Sequence, residues 1–184
     1  MDDKFRPAFE MELEAMRSVK EDFGLDNLQL MVPFCRTPEE GAMVTELLNQ
    51  KGIGPDSGTD LFVMVELPSN VIEADRFIDM MGLAGGSIGS NDLVQTVYAV
   101  SRDDLEGYQN PIDARSPSVK SMIRRIVEKF NSRGLEIGIC GQAPSDFPDE
   151  FPPFLIDCGI TSISVTPDTA VAVRATVAEA ERKS

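Results

Sequence analysis

Histidine is absent from this sequence. Because histidine is the side chain that most often moves protons near neutral pH, its absence excludes the Ser–His and Cys–His pairs on which many nucleophilic enzymes depend. There are only three cysteines, and their spacing matches no metal-binding pattern. A small, odd number of cysteines argues against a disulfide scaffold and favours a reducing compartment, which predicts a cytoplasmic location.

Long hydrophobic runs and positive charge are also scarce. No apolar stretch approaches the ~20 residues of a membrane helix, and residues 1–4 (MDDK) do not begin a signal peptide. Lysine and arginine together number 17 against 31 carboxylates, which gives a formal charge of −14. We therefore expect neither nucleic acid nor an anionic membrane as a partner, and an anionic substrate would need a local cation.

Apolar runs alternate with helix-like segments along the whole chain. The predicted strands are residues 28–34, 61–67, 86–89, 135–140 and 160–165. The predicted helices are residues 9–23, 38–50, 70–81, 93–100 and 116–130, a proline-broken helix ending near 158, and a last helix opened by 166–167. One α/β domain over residues 1–184, with a parallel sheet and right-handed crossovers, is the predicted architecture.

Two arrangements of these five βα units are compatible with the pattern. They can form an open doubly wound sheet, or they can be part of a (β/α)₈ barrel of the TIM type whose first three units are missing. Both arrangements put ligands at the carboxyl ends of the strands. Polar side chains follow several predicted strands, so a functional rim is expected there.

Two carboxylates on this rim are candidates for a metal site. Glu66 ends a strongly apolar strand, where a carboxylate is unfavourable unless it is paired or bound to metal. Asp92 follows the next strand, and two carboxylates suit Mg²⁺, which prefers oxygen ligands. The alternative is structural: Glu66 pairs with an arginine, while Asn91 and Asp92 cap the following helix.

Cys140 lies between glycines at the end of another predicted strand. A thiol there can act as an acid or a base, although most free cysteines are small buried side chains. That second interpretation is applied to Cys35 and Cys158. Arg36 and Arg102 either grip a phosphate or carboxylate or are solvated loop residues.

Four motifs resemble one family. They are VPFCRTPEE (32–40), VELPSN (65–70), SIGSNDL (87–93) and GICGQAPSD (138–146). In this order they are similar to the C-terminal phosphoenolpyruvate (PEP)/pyruvate-binding domain of PEP synthase, in the family of PEP-utilising enzymes that includes pyruvate phosphate dikinase. The resemblance covers nearly the whole chain and implies the last five units of a (β/α)₈ barrel.

The resemblance also implies a reaction and its residues. The family passes a phosphoryl group between a phosphohistidine on a swivelling domain and pyruvate, giving PEP. By position, the implied Mg²⁺ ligands are Glu66 and Asp92, and the implied proton carrier at the substrate methyl carbon is Cys140. The implied substrate-binding residues are Ser90, Asn91, Arg102 and Gln142.

The sequence departs from the family pattern as well. Barrel units one to three, with two substrate arginines, and the nucleotide and phosphohistidine domains are missing, and Val94 and Gly86 replace a usual threonine and phenylalanine. We therefore expect no PEP synthase activity from the chain alone. Two alternatives stay open: a non-catalytic binding or regulatory partial barrel, and a Mg²⁺-dependent lyase acting on a pyruvate enolate. Exposed sheet edges also predict self-association.

Overall fold

Residues 4–101 and 112–183 are described in a computed structural model. Their five strands form one parallel sheet in the order of the chain. The strands are β1 (Gln29–Val32), β2 (Asp60–Val65), β3 (Gly85–Gly89), β4 (Glu136–Cys140) and β5 (Ser162–Ile163). Because the strand order never reverses, the sheet is a partial TIM-type barrel and not a doubly wound sheet.

Helices connect the strands and cover one face of the sheet. They are α1 (Arg6–Glu21), α2 (Pro38–Gln50), α3 (Pro68–Ile72), α4 (Ala74–Met81), α5 (Ser90–Tyr98), α6 (Pro117–Ser132), α7 (Ala143–Asp146), α8 (Phe151–Cys158) and α9 (Ala170–Glu181), with a 3₁₀ turn at Pro55–Ser57. Across the described ranges, none of them is both long and apolar enough to cross a bilayer.

The core lies between the sheet and its helices. Along β2, Leu61, Val63 and Val65 are buried, whereas the side chains between them are half-exposed on the opposite face. The ring of Phe130 on α6 packs against Gly86, where an added Cβ would approach the ring to 3.1 Å. Phe130 therefore fills the space beside Gly86.

The helix starts differ from prediction in instructive ways. The sequence predicts a capping box at α2, with Thr37 as the N-cap and Glu40 three residues later. Glu40 N–H donates to Thr37 Oγ1 at 3.2 Å, as predicted, but the Glu40 carboxylate accepts from Arg36 N–H at 2.9 Å and not from Thr37. The sequence also predicts Ser69 or Asn70 as the cap of the next helix, and this prediction is wrong. That helix begins at Pro68, because the Asn70 side chain reaches back to the chain before it.

The last unit is shorter than the apolar pattern suggests. In the register of the sheet, Gly138 pairs with Ser162 and Ile139 pairs with Ile163, and the strand ends there. The final helix starts at Ala170 and not at residue 166, because Thr166 and Thr169 bond to each other and to Ser145. The sequence predicts a loop over residues 141–145, but the short α7 begins within it at Ala143.

Candidate functional site

Asn70 ties the carboxyl ends of β1 and β2 together. Its side-chain Oδ1 accepts hydrogen bonds from the backbone N–H groups of Glu66 (3.1 Å) and Leu67 (3.0 Å). Its Nδ2 donates to the carbonyl of Cys35 at 2.8 Å. Only 2% of Asn70 is exposed, so these bonds satisfy groups that water does not reach. The two turns are thereby held as one unit.

Phe34 adds a second connection between these turns. Its backbone N–H donates to Glu66 Oε1 at 3.3 Å. Phe34 has a φ of +51°, a left-handed conformation that is unfavourable for a bulky side chain. The ring is 44% exposed, so core packing does not explain this conformation. The hydrogen bonds made by Phe34 and its neighbour Cys35 hold the backbone there.

Glu66 is the buried carboxylate of the rim, with 3% of the residue exposed. Burial raises the pKa of Glu66, and the hydrogen bond from the Phe34 N–H lowers it. The nearby Asp92 carboxylate raises the pKa further, both by charge repulsion and by a hydrogen bond between the two carboxyl groups, which requires that one of them is protonated. In the described parts of the chain, Glu66 has no salt bridge to an arginine or lysine. Among these residues Glu66 therefore has no arginine partner, and Arg102 lies outside them.

Asp92 is brought to Glu66 by the strand-to-helix turn after β3. It lies in the first turn of α5, where Gln95 Nε2 donates to Asp92 Oδ1 at 3.1 Å. Thr96 on the next turn of the helix fixes this helix to β2, because its hydroxyl donates to the Glu66 carbonyl at 2.7 Å. The N-cap residue of α5 is Gly89, which has no side chain to cap the helix, and Asp92 in the first turn places a negative charge where it favours the helix dipole.

The loop after β4 closes the other side of the rim. The Ser90 hydroxyl donates to the Cys140 carbonyl at 2.9 Å, and Gln142 N–H donates to Asn91 Oδ1 at 3.3 Å. Gly141 between them has a φ of +103°, and a Cβ at this position would collide with Ser90 Oγ. The predicted residues of the third and fourth strand ends are thus in direct contact.

The remaining predicted residues divide clearly. Arg102 lies outside the described residues. The Arg36 side chain is 70% exposed and pairs with Glu40 at 3.7 Å, as expected of a solvated loop arginine. Cys35 is buried, and burial raises its pKa to about 11, so it is an unreactive thiol. Cys158 is half-buried, and burial raises its pKa too.

The donor set fits a small divalent cation. Two carboxylates share one rim, and the pKa of Glu66 is raised by burial and by the nearby charge of Asp92. Within the two described ranges, no cluster of three or more histidine, cysteine, aspartate or glutamate side chains exists. A cation held by these two carboxylates would need further ligands, and the Asn91 amide, substrate oxygens and water form a mixture that Mg²⁺ accepts.

Replacing Glu66 with glutamine is expected to stabilise the metal-free protein at pH 7. Glutamine keeps an acceptor for the Phe34 N–H but has no charge to bury or to set against Asp92. Because the pKa of Glu66 is raised on folding, wild-type stability falls as pH rises through that raised pKa. We expect the Tm to rise by a few degrees at pH 7, since each kcal/mol gained in the free energy of unfolding raises the Tm by about 2–4 °C.

Thermal melts of both proteins in EDTA across pH measure this effect, and the gain should vanish below the ordinary glutamate pKa of 4.5. Glu39→Gln is the matched control. The pKa of Glu39 is lowered by its own backbone N–H and by Arg76, so losing its charge should bring no gain. A Tm for E66Q at or below that of wild type at pH 7 would refute the expectation.

The contacts of Asn70, Thr96 and Phe34 were not predicted from the sequence. Asn70 carries a signal, since an asparagine shortly after a strand often bonds backbone groups, but this pattern also fits a helix cap. Thr96 stands mid-helix, and its bond to the Glu66 carbonyl joins residues 30 positions apart. The conformation of Phe34 follows from those contacts, so local sequence carries no sign of it.

Comparison with known proteins places this rim in a family. The family described as "PEP-utilising enzyme, PEP-binding domain" matches residues 2–182. The chain is 43% identical over 182 residues to a phosphoenolpyruvate synthase of Aquifex aeolicus, and 42% identical over 182 residues to one of Synechocystis. These alignments cover 98% of the chain but only 21% and 22% of the relatives. The chain thus spans about a fifth of their length.

Solved structures agree on the fold. A malate synthase from Haloferax volcanii superimposes with a TM-score of 0.64, covering 89% of this chain and 46% of that one. The two sequences are 12% identical, so this likeness concerns architecture alone. It is consistent with the partial barrel seen in the strand order.

Proposed function

Because the chain belongs to the family of PEP-binding domains of PEP-utilising enzymes, we propose that it is the PEP/pyruvate-binding part of a PEP synthase-type enzyme. The observation that carries this proposal is the pair formed by Glu66 and Asp92. It lies on the same rim as the contacts joining Asn91 to the loop that follows Cys140. A carboxylate pair beside amide and thiol groups suits an anionic substrate, because a metal cation can bind between the carboxylates and the substrate.

Each side chain has a role in this proposal. Glu66 and Asp92 hold Mg²⁺, which when bound neutralises the carboxylate pair and the charge that develops on the substrate oxygens. Asn91 contacts the phosphoryl group, with Ser90 and Gln142 next to it. Cys140 gives a proton to the methylene carbon of the pyruvate enolate that is left when the phosphoryl group leaves PEP, and in the other direction it takes a proton from the methyl carbon of pyruvate.

The rest of the enzyme belongs to the proposal as well. Residues 1–184 form one domain, the C-terminal part of a PEP-utilising-enzyme barrel, and phosphoryl transfer requires nucleotide and phosphohistidine domains that the greater length of the relatives can supply. The chain has no histidine of its own to be phosphorylated. A cytoplasmic location is supported by three free cysteines. Because β1 and β5 are the outer strands of the described sheet, we propose that another copy or another segment covers them.

The alternatives gain less support. A lyase acting on a pyruvate enolate would share this architecture, but the likeness to malate synthase rests on 12% identity and concerns the fold. A purely regulatory partial barrel has no use for the unfavourable burial of Glu66 beside Asp92. The similarity to PEP synthases extends over 98% of the chain.

Calorimetric titration with oxalate, a mimic of the pyruvate enolate, tests the proposal. Wild type should bind oxalate only when Mg²⁺ is present. Glu66→Ala should weaken this binding by about a hundredfold or more, since even a residue that only supports a metal ligand is worth about 10–100-fold. Asp60→Ala is the control, because it removes the same charge from the opposite end of β2, where Asp60 accepts from Gln29.

The oxalate titration has three distinguishable outcomes. Metal-dependent binding that is lost in E66A and kept in D60A supports the proposed site. Absence of binding by wild type contradicts the proposal for this chain and favours a scaffold role. Equal loss in both variants would mean that bulk negative charge, and not this site, attracts the metal.

A further inference from the structure

We propose that Arg115 is a positioning residue for the loop of residues 140–142, which it holds in place by stacking on Phe147. The proposal rests on the function proposed above, because that function gives the loop its chemistry. Arg115 lies in the turn before α6, far along the chain from Cys140 and outside every motif of the family resemblance. Its contacts, and not its sequence context, carry the argument.

The Arg115 side chain is held in place by two carboxylates, those of Asp113 and Glu150. Asp113 Oδ1 accepts from the Arg115 backbone N–H at 2.8 Å and from Nε at 3.2 Å, while Oδ2 accepts from Nη2 at 2.8 Å. This fork fixes the plane of the guanidinium. The carboxylate of Glu150 lies 3.7 Å from Nη1 and is itself bonded to Lys120 at 2.8 Å. The guanidinium therefore has one orientation available.

That orientation places the guanidinium over the ring of Phe147. The Arg115 Cζ lies 3.7 Å from the ring centroid, which is close to stacking distance. The Arg115 side chain is 35% exposed, so the contact is only partly desolvated. Two cation–π contacts made by residues of α6 are looser. Lys120 Nζ and Arg124 Cζ lie 5.2 and 5.4 Å from the ring centroid of Phe154.

Phe147 passes this restraint to the rim. It follows α7 directly, and its N–H donates to the carbonyl of Ala143 at 3.1 Å. Ala143 follows Gln142, whose N–H bonds to Asn91. Helix α7 is only four residues long, so it has little stability of its own and depends on such outside contacts. Arg115 therefore fixes the end of α7, and α7 fixes the loop that carries Cys140.

Alkylation of the three cysteines, read by mass spectrometry, tests this link. In Arg115→Ala the loop should become more mobile, and Cys140 should react about three- to tenfold faster. This factor corresponds to the loss of one partly desolvated cation–π contact. Mg²⁺-dependent oxalate affinity should fall by about the same factor. Cys35, which is 4% exposed, reports global unfolding and should stay unreactive.

Arg124→Ala is the matched control, since Arg124 on α6 makes a looser cation–π contact and an ion pair with Asp157, and both are lost in this variant. It should leave Cys140 at the wild-type rate. Phe147→Leu keeps an apolar side chain but has no ring to stack on, so it should raise the Cys140 rate as R115A does. Arg115→Lys should give a Cys140 rate between those of wild type and R115A. An unchanged Cys140 rate in R115A, or an equal rise in R124A, overturns the proposal. If wild type fails to bind oxalate, the alkylation rates still decide it.

Discussion

Alanine in place of Asn70 is expected to lower the free energy of unfolding by about 3 kcal/mol, from three buried hydrogen bonds at about 1 kcal/mol each. The N–H groups of Glu66 and Leu67 and the carbonyl of Cys35 would lose their partner in a region that water does not reach. At about 2–4 °C for each kcal/mol, the Tm should fall by about 6–12 °C. The oxalate affinity should fall with it, because Glu66 loses its anchor.

Two variants make this result interpretable. Asn131→Ala is the matched control, since Asn131 is exposed and makes one side-chain bond, to the carbonyl of Gly159 at 2.9 Å; it should cost about 1 kcal/mol or less. Asn70→Asp keeps the two acceptor contacts but faces the Cys35 carbonyl with an oxygen, so an intermediate loss is expected. Thermal melts and calorimetry measure both quantities. Equal losses in N70A and N131A would show that Asn70 does not connect the two turns.

Alanine at Gly141 should have the second large effect. Two costs add at this position: a φ of +103° that side chains rarely adopt, and a Cβ that collides with Ser90 Oγ and lies 3.3 Å from Asn91 Oδ1. Together they should lower the free energy of unfolding by about 2–4 kcal/mol. Oxalate binding should weaken at least about tenfold, because a 1 Å misplacement of reacting groups can cost more than that.

Gly134→Ala separates the two costs. Gly134 also has a positive φ, +68°, but a Cβ there meets nothing within 4 Å. The backbone cost alone, about 1–2 kcal/mol, is expected from G134A, and oxalate binding should not change. Urea unfolding and calorimetry on both variants give the comparison. If G141A binds oxalate as tightly as G134A does, the contacts of Ser90 and Asn91 with the loop are not needed by the site.

The order of elements could be predicted from the sequence because it depends on local patterns. The apolar runs of β2 and β4 have no polar alternation, which is typical of parallel strands covered by helices. Polar residues directly after those runs indicated the rim, since the carboxyl ends of parallel strands meet at one edge. The choice between barrel and doubly wound sheet depended on strand order, which periodicity does not encode.

The connections across the rim could not be predicted in the same way. Asn70 and Cys35 are 35 residues apart, and Ser90 and Cys140 are 50 apart. Such hydrogen bonds depend on the conformations of several turns at once, so no window of sequence contains them. The substrate roles came from the family resemblance, whereas Glu66 and Asp92 were already candidates for a metal site from their positions after two strands, and the structure places them close together.

Strand β3 has a consequence for the order in which the molecule assembles. Three of its five residues are glycine, and the space around Gly85, Gly86 and Gly89 is filled by Phe62, Phe130 and Glu66, which belong to other elements. A glycine-rich segment loses much entropy on ordering and buries little of its own, so β3 gains its stability only when β2, β4 and α6 are in place. The turn that carries Asn91 and Asp92 follows β3 directly. A partly folded chain therefore lacks the paired carboxylates, and the site comes into existence only with the finished sheet.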